Sequence, residues 1–103
     1  MKINYLSAIV LALMIAPAAR ASEDLAKKYN CLACHQADKK VIGPSYQEVA
    51  AKYKGQADAA TTVAAKIKAG GVGVWGQIPM PPNPTVPDAD LQVLVTWILG
   101  MAK

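Results

Sequence analysis

The chain has 103 residues, a formal net charge of +4, two cysteines, one histidine, four methionines and no phenylalanine. That length holds one domain. The positive charge is too slight for the concentrated basic face that nucleic-acid binding needs.

The first segment is read as a targeting signal. Lys2 precedes an apolar run from Leu6 to Ala16 that only Ser7 interrupts. The run is about half of the ~20 residues that a membrane helix needs. Pro17 ends it, and Ala19-Arg20-Ala21 places small residues at both ends of a cleavage site. This is the layout of a secretory signal peptide. Residues 1–21 are expected to be removed after Ala21, leaving residues 22–103 as the mature domain. No cysteine stands at the cleavage site, so no lipid attachment and no stable membrane anchor are expected. Without Lys2 and Arg20, nine basic residues face seven acidic ones, a net charge of +2.

The mature 82 residues make a small domain. A core of this size supplies only about 3–5 kcal/mol, so a disulfide, a metal or a large buried cofactor is expected to contribute. Export permits a disulfide between Cys31 and Cys34. It would close a very small loop and stabilise little. A chemical role for the two thiols is preferred.

The mature pattern is helical, without alternating strand segments bounded by turns. Ser22 can cap a first helix over about 23–29, with Glu23 and Asp24 in its first turn. Leu25 and Tyr29 share a face of it. Ser45-Tyr46-Gln47-Glu48 reads as a capping box for a second helix through Tyr53, stopped by Gly55. Asp58 is the expected cap of a third helix that runs to about Ala69. Gly70 and Gly71 end it. Residues 72–87 hold five prolines and two glycines, so they form a loop. Loops of that length are usually functional or disordered. Val74, Trp75, Ile78 and Met80 suit a loop packed against something apolar. A last helix is expected from Asp88 as its cap, with Leu91, Leu94, Ile98 and Met101 as its stripe. It is expected to be the longest helix and to pack on the first.

Chemistry concentrates at Cys31-Leu32-Ala33-Cys34-His35, a C-x-x-C-H haem-attachment motif. Each thiol can add across one haem vinyl group to give a thioether. Two intervening residues let both sulfurs reach one porphyrin edge. The histidine directly after the second cysteine then lies under the ring, where its imidazole can bind iron. A thioredoxin-like thiol pair shares C-x-x-C but expects strands around it. A zinc site needs four ligands, and this chain has two cysteines and one histidine.

His35 is the only histidine, so a sixth iron ligand comes from another residue type or the position is open. Met1 and Met14 leave with the signal peptide, and Met101 on the apolar stripe reads as core. Met80 lies between Pro79 and Pro81, whose fixed φ angles can hold a thioether in place. It is the candidate second ligand. His/Met ligation raises the haem potential and fills both axial positions, which favours electron transfer over substrate binding.

Residues 23–103 resemble the short class I bacterial cytochromes c, in particular the cytochrome c-551 family. The resemblance is carried by Cys31-Leu32-Ala33-Cys34-His35, by Gly43-Pro44-Ser45-Tyr46, and by the segment Gly73-Val74-Trp75-Gly76-Gln77-Ile78-Pro79-Met80-Pro81-Pro82-Asn83. It implies an all-α class I cytochrome c fold, four to five helices around one haem c held by two thioethers. It implies a monomeric periplasmic mono-haem electron carrier, not an enzyme. Its redox partners would include a cytochrome bc complex, a nitrite reductase, a terminal oxidase or a peroxidase. It further implies that the Pro44 carbonyl accepts a hydrogen bond from His35, that Asn83 hydrogen-bonds near the methionine sulfur, and that Trp75 and Lys66 pair with the haem propionates. The family often has arginine where Lys66 stands, and lysine lacks the bidentate fork. Lys66 reads equally as a solvated helix residue, Trp75 alternatively as core packing, and Tyr46 and Tyr53 either as pocket walls or as helix anchors.

Lys27, Lys28, Lys39 and Lys40 flank the motif and either steer acidic partners or form an ordinary solvated surface. Ile42, Pro81 and Pro82 are the expected apolar rim where electrons pass. Three other functions would suit parts of this sequence: a haem subunit of a larger respiratory complex, a ligand-binding haem sensor with an open sixth position, and a thiol–disulfide protein.

Overall fold

A computed structural model describes residues 17–102, so most of the expected signal peptide lies outside the described residues. Four helices follow in order: α1 Pro17–Lys28, α2 Tyr46–Tyr53, α3 Ala59–Ala69 and α4 Asp88–Leu99. A short 3-10 turn, Cys31–Ala33, stands between the first two. Extended backbone pairs, among the described residues, only in isolated bridges, His35 with Lys40 and Gly71 with Met80. The architecture is the all-α one expected.

Local chemistry explains most element ends and shifts some of them. α1, Pro17–Lys28, extends N-terminal to Glu23 and runs across the expected cleavage bond. The alanines in this stretch have the highest helix propensity. The helix stops before Asn30, whose φ of 62° is left-handed; asparagine tolerates this conformation better than most residues. Ser45 caps α2, accepting from the Glu48 N–H at 3.1 Å. The other half of the box differs: the Ser45 hydroxyl donates to the Glu48 carboxylate at 3.2 Å. Asp58 occupies the cap position of α3 without a side-chain cap bond.

At α4 the cap is Pro87 and Asp88 is the first helical residue. The Asp88 carboxylate is engaged elsewhere, by Lys68 Nζ at 2.6 Å. That ammonium holds the Asp88 carboxyl below its ordinary pKa. Among the described residues α4 and α1 each span 12, so α4 is not longer than α1.

α4 organises the core. It packs against α1, α2 and α3. Leu91, Leu94, Val95 and Ile98 are buried along it, with Leu94 only 1 % exposed. Ala26 of α1, Tyr53 of α2, Val63 of α3 and Val86 complete one cluster with Leu91, Leu94 and Val95. Met101 lies past the helix end, partly buried. A polar tie adds direction: the Tyr29 hydroxyl donates to Asp90 Oδ2 at 2.6 Å. The carboxylate acceptor stabilises the protonated phenol and raises its pKa.

A second apolar set stays outside this core. Val41, Ile42, Val72, Val74, Trp75 and Ile78 are each at least 40 % exposed. They sit in two segments, 41–42 and 72–78, that border one cavity. The helices thus close their own interior and leave one wall of apolar loop side chains beside it. Leu94→Ala is expected to cost about 2–5 kcal/mol, because it deletes the best-buried leucine at the junction of the helices. Denaturant titration of the purified protein measures this; a loss below about 1 kcal/mol would contradict the central place given to α4.

Candidate haem site

The cysteine motif starts where α1 ends. The left-handed Asn30 turns the chain into the 3-10 turn that carries Cys31. The His35 N–H donates to the Cys31 carbonyl at 3.0 Å, which folds the motif on itself. The two cysteine sulfurs are not joined to each other. Burial pushes the Cys31 thiol up in pKa.

The following loop folds back over the motif. Gly43 N–H donates to the Cys34 carbonyl at 2.8 Å, and Tyr46 N–H donates to the Gln36 carbonyl at 2.9 Å. This return delivers the Pro44 carbonyl to 2.7 Å from His35 Nδ1. A proton on Nδ1 donated to that carbonyl leaves Nε2 as the nitrogen with a lone pair for a metal. Gly43 makes the approach possible. A Cβ there would lie 2.5 Å from His35 Cε1 and 2.9 Å from Nδ1. The Tyr46 ring stacks on the imidazole from another side, 5.4 Å between centroids with 23° between planes. Trp97 backs Tyr46 in turn at 5.3 Å. Tyr46 is therefore a pocket wall, whereas Tyr53 belongs to the helical core. The Tyr46 hydroxyl is buried without a hydrogen-bond partner among the described residues, and burial drives its pKa well up.

Met80 is held by the opposite segment. Its N–H donates to the Gly71 carbonyl at 2.8 Å, and the Gly71 N–H donates back at 3.1 Å. Gly70, at φ 66°, lets this base close: a Cβ there would meet the Met80 carbonyl oxygen and the Pro82 nitrogen. The Asn83 N–H donates to the Ile67 carbonyl at 3.1 Å. The Asn83 side-chain amide donates to the carbonyls of Ile67 and Pro81, each at 3.2 Å. The bonds observed for Asn83 thus go to backbone beside Met80; they anchor the loop to α3 and do not reach the sulfur.

These parts frame two cavities, of about 270 and 120 Å³. Cys34, His35, Met80 and Pro81 wall both of them. The larger is also lined by Pro44, Lys66 and Trp75, and the smaller by Cys31 and Asn83. All eight residues singled out from the sequence therefore meet in one place. Lys66 is exposed at the cavity wall, and Trp75 is 40 % exposed there. The residues fit a haem. Two thiols, an imidazole with an available nitrogen and a thioether all line these cavities. A wall of exposed valine, isoleucine and tryptophan matches an apolar macrocycle. The sequence alone did not reveal Gly43, Gly70 or the Tyr46 stack as parts of the site. The Gly-Pro pair before Ser45 was the available signal for the first.

Gly43→Ala is expected to push the imidazole off the Pro44 carbonyl. It should lower stability by about 1–3 kcal/mol, as overpacking commonly does, and lower the fraction of purified protein that carries haem. Denaturation and intact mass read these two effects; a fully haem-loaded variant of unchanged stability would contradict the tight fit at Gly43.

Comparison with known proteins gives the family. The cytochrome c family model matches residues 19–102. Over 90 residues the chain is 59 % identical to cytochrome c-552 of Nitrosomonas europaea, covering 87 % of each chain. It is 53 % identical to cytochrome c-551 of Allochromatium vinosum over 90 residues, 87 % of this chain and 96 % of that one. The crystal structure of Nitrosomonas europaea cytochrome c552 superposes with a TM-score of 0.74, at 59 % identity, covering 77 % of this chain and 98 % of the other. A class 1 cytochrome from Sideroxydans lithotrophicus superposes with a TM-score of 0.70 at 32 % identity, covering 82 % and 96 %. The protein belongs to the cytochrome c family, as a class I member of the c-551 and c-552 type that carries covalent haem c and acts as an electron carrier, not an enzyme.

Proposed function

We propose that the chain is a periplasmic single-electron shuttle whose haem iron is ligated by His35 and Met80. The observation that carries this reading is the placement of the two side chains. They come from opposite segments yet wall the same two cavities. When bound, the haem supplies an iron that cycles between Fe(II) and Fe(III). The protein's part is to keep both ligands still. His35 is fixed by the Pro44 carbonyl, by Gly43 and by the Tyr46 ring. Met80 is fixed by its paired bonds with Gly71 and by the Asn83 anchor. Ligands held this way change little between oxidation states, so little reorganisation opposes transfer.

The finer assignments follow from the same site. Cys31 and Cys34 form the thioethers, and Trp75 and Lys66 on the larger cavity pair with propionates. Asn83 holds the methionine loop. The signal peptide, residues 1–21, delivers the chain to the periplasm and is cleaved after Ala21, leaving residues 22–103. α1 spans that bond, so Ser22 becomes the first residue of a shortened helix. No helix among the described residues is long and apolar enough to cross a membrane. The mature chain works as a monomer between redox proteins such as a cytochrome bc complex and a nitrite reductase, terminal oxidase or peroxidase.

Partners approach at the exposed apolar rim. Ile42 is 50 % exposed, and Pro81 and Pro82 are exposed or line the opening. Lys39 and Lys40 lie exposed beside it and attract acidic partners. Ile42→Glu is expected to slow reduction of a bacterial nitrite reductase roughly fivefold or more, since seating an unpaired carboxylate against apolar surface costs on the order of 1–3 kcal/mol. The visible spectrum and the rate of reduction by ascorbate should stay unchanged. Stopped-flow absorbance measures both rates; an unchanged rate with the enzyme would contradict docking at this rim.

A further inference from the structure

We propose that Lys52 is a positioning residue that clasps the tip of the methionine loop onto α2. Lys52 Nζ lies 5.5 Å from the centroid of the Trp75 ring, inside the ~6 Å range of cation–π attraction. The two residues are far apart in sequence, so the fold brings them together. The Lys28–Tyr29 pair differs in this respect, because those residues are chain neighbours.

The loop needs a fastening at this end. Its base is secured by the Gly71–Met80 pair and by Asn83. Its tip is not: among the described residues, the hydrogen bonding of residues 72–79 is internal, with the Gly73 N–H donating to the Gly76 carbonyl at 2.9 Å. Val72 and Ile78 on either side are 63 % and 66 % exposed. Trp75 is the tip residue that meets a charged group on a helix, and it lines the larger cavity. Lys52 stands on α2 next to Tyr53, a core residue, so its helix is a firm mount. Holding the indole there fixes one cavity wall and resists the outward swing of the loop that would carry Met80 away. This last consequence rests on the reading of Met80 as an iron ligand.

The test compares Lys52→Gln and Lys52→Arg with the wild type as haem-loaded proteins. Amide hydrogen exchange, read by NMR on the reduced form, reports opening at Gly73 and Met80. Lys52→Gln is expected to speed exchange at both amides roughly two- to fivefold, as an exposed cation–π contact implies. It should also raise the affinity of the oxidised protein for added imidazole by a similar factor. Lys52→Arg keeps a cation over the ring and should match the wild type. Unchanged amides in Lys52→Gln, an imidazole affinity that does not move, or an equal change in Lys52→Arg would each overturn the clasp. So would an equal acceleration at Leu94 and Val95, which means general loosening of the core. Tight carbon monoxide binding by the reduced wild-type protein would instead overturn the His35/Met80 reading, and the amide exchange would still decide whether Lys52 fastens the loop.

Discussion

The structure depends on a helical core that closes on itself and leaves the apolar side chains of one loop uncovered beside it. α4 gathers α1, α2 and α3 around Leu91, Leu94 and Val95. The loop residues Val72, Val74, Trp75 and Ile78 remain at least 40 % exposed along a cavity that Cys34 and His35 also line. A domain of this size cannot afford that much unburied apolar surface. Covalent haem c, which the family carries, would cover this apolar wall beside the cysteine motif. The cofactor site is therefore part of the fold's energetics as well as the seat of function.

The two sides of the cavity are built differently, and the contrast bears on electron transfer. The His35 side is rigid through close contact: a carbonyl at 2.7 Å, a glycine with no room for a methyl group, and a stacked phenol backed by Trp97. The Met80 side is rigid through backbone pairing at its base and through proline-fixed dihedrals. Its tip is fastened more lightly, at Trp75. A carrier needs ligands that hold still and a rim that partners can reach. On the proposed His35/Met80 ligation the same loop would serve both needs, because Met80 sits at its paired base while Ile78 and Pro81 stay exposed.

Much of this could be read from local sequence. C-x-x-C-H is a contiguous motif whose spacing is set by the chemistry of two vinyl groups, so it needs no fold to be recognised. Met80 between two prolines, the Ser45 cap and the glycine stop at Gly70 are likewise rules that act over three or four residues. What was misplaced is instructive. α1 extends N-terminal to the start expected after Ser22 because Ala18, Ala19 and Ala21 favour helix. The cap of α4 moved by one residue because Lys68, twenty positions earlier, captures the Asp88 side chain. Asn83 donates to the carbonyls of Ile67 and Pro81, beside Met80, because α3 ends there. The Tyr46–His35 stack, the Tyr29–Asp90 bond and the Lys52–Trp75 pair are contacts between distant segments. No period or local motif encodes them; only the assembled fold brings their partners into reach.

The central claim is that His35 and Met80 together hold the iron of a covalent haem. The most direct measurement is the visible absorption spectrum of the purified oxidised protein at neutral pH, taken with the intact mass. The account predicts a mass that includes one haem and a methionine–iron charge-transfer band that disappears in Met80→Ala. A haem-bearing protein without that band, or one in which Met80→Ala leaves it in place, would contradict the account.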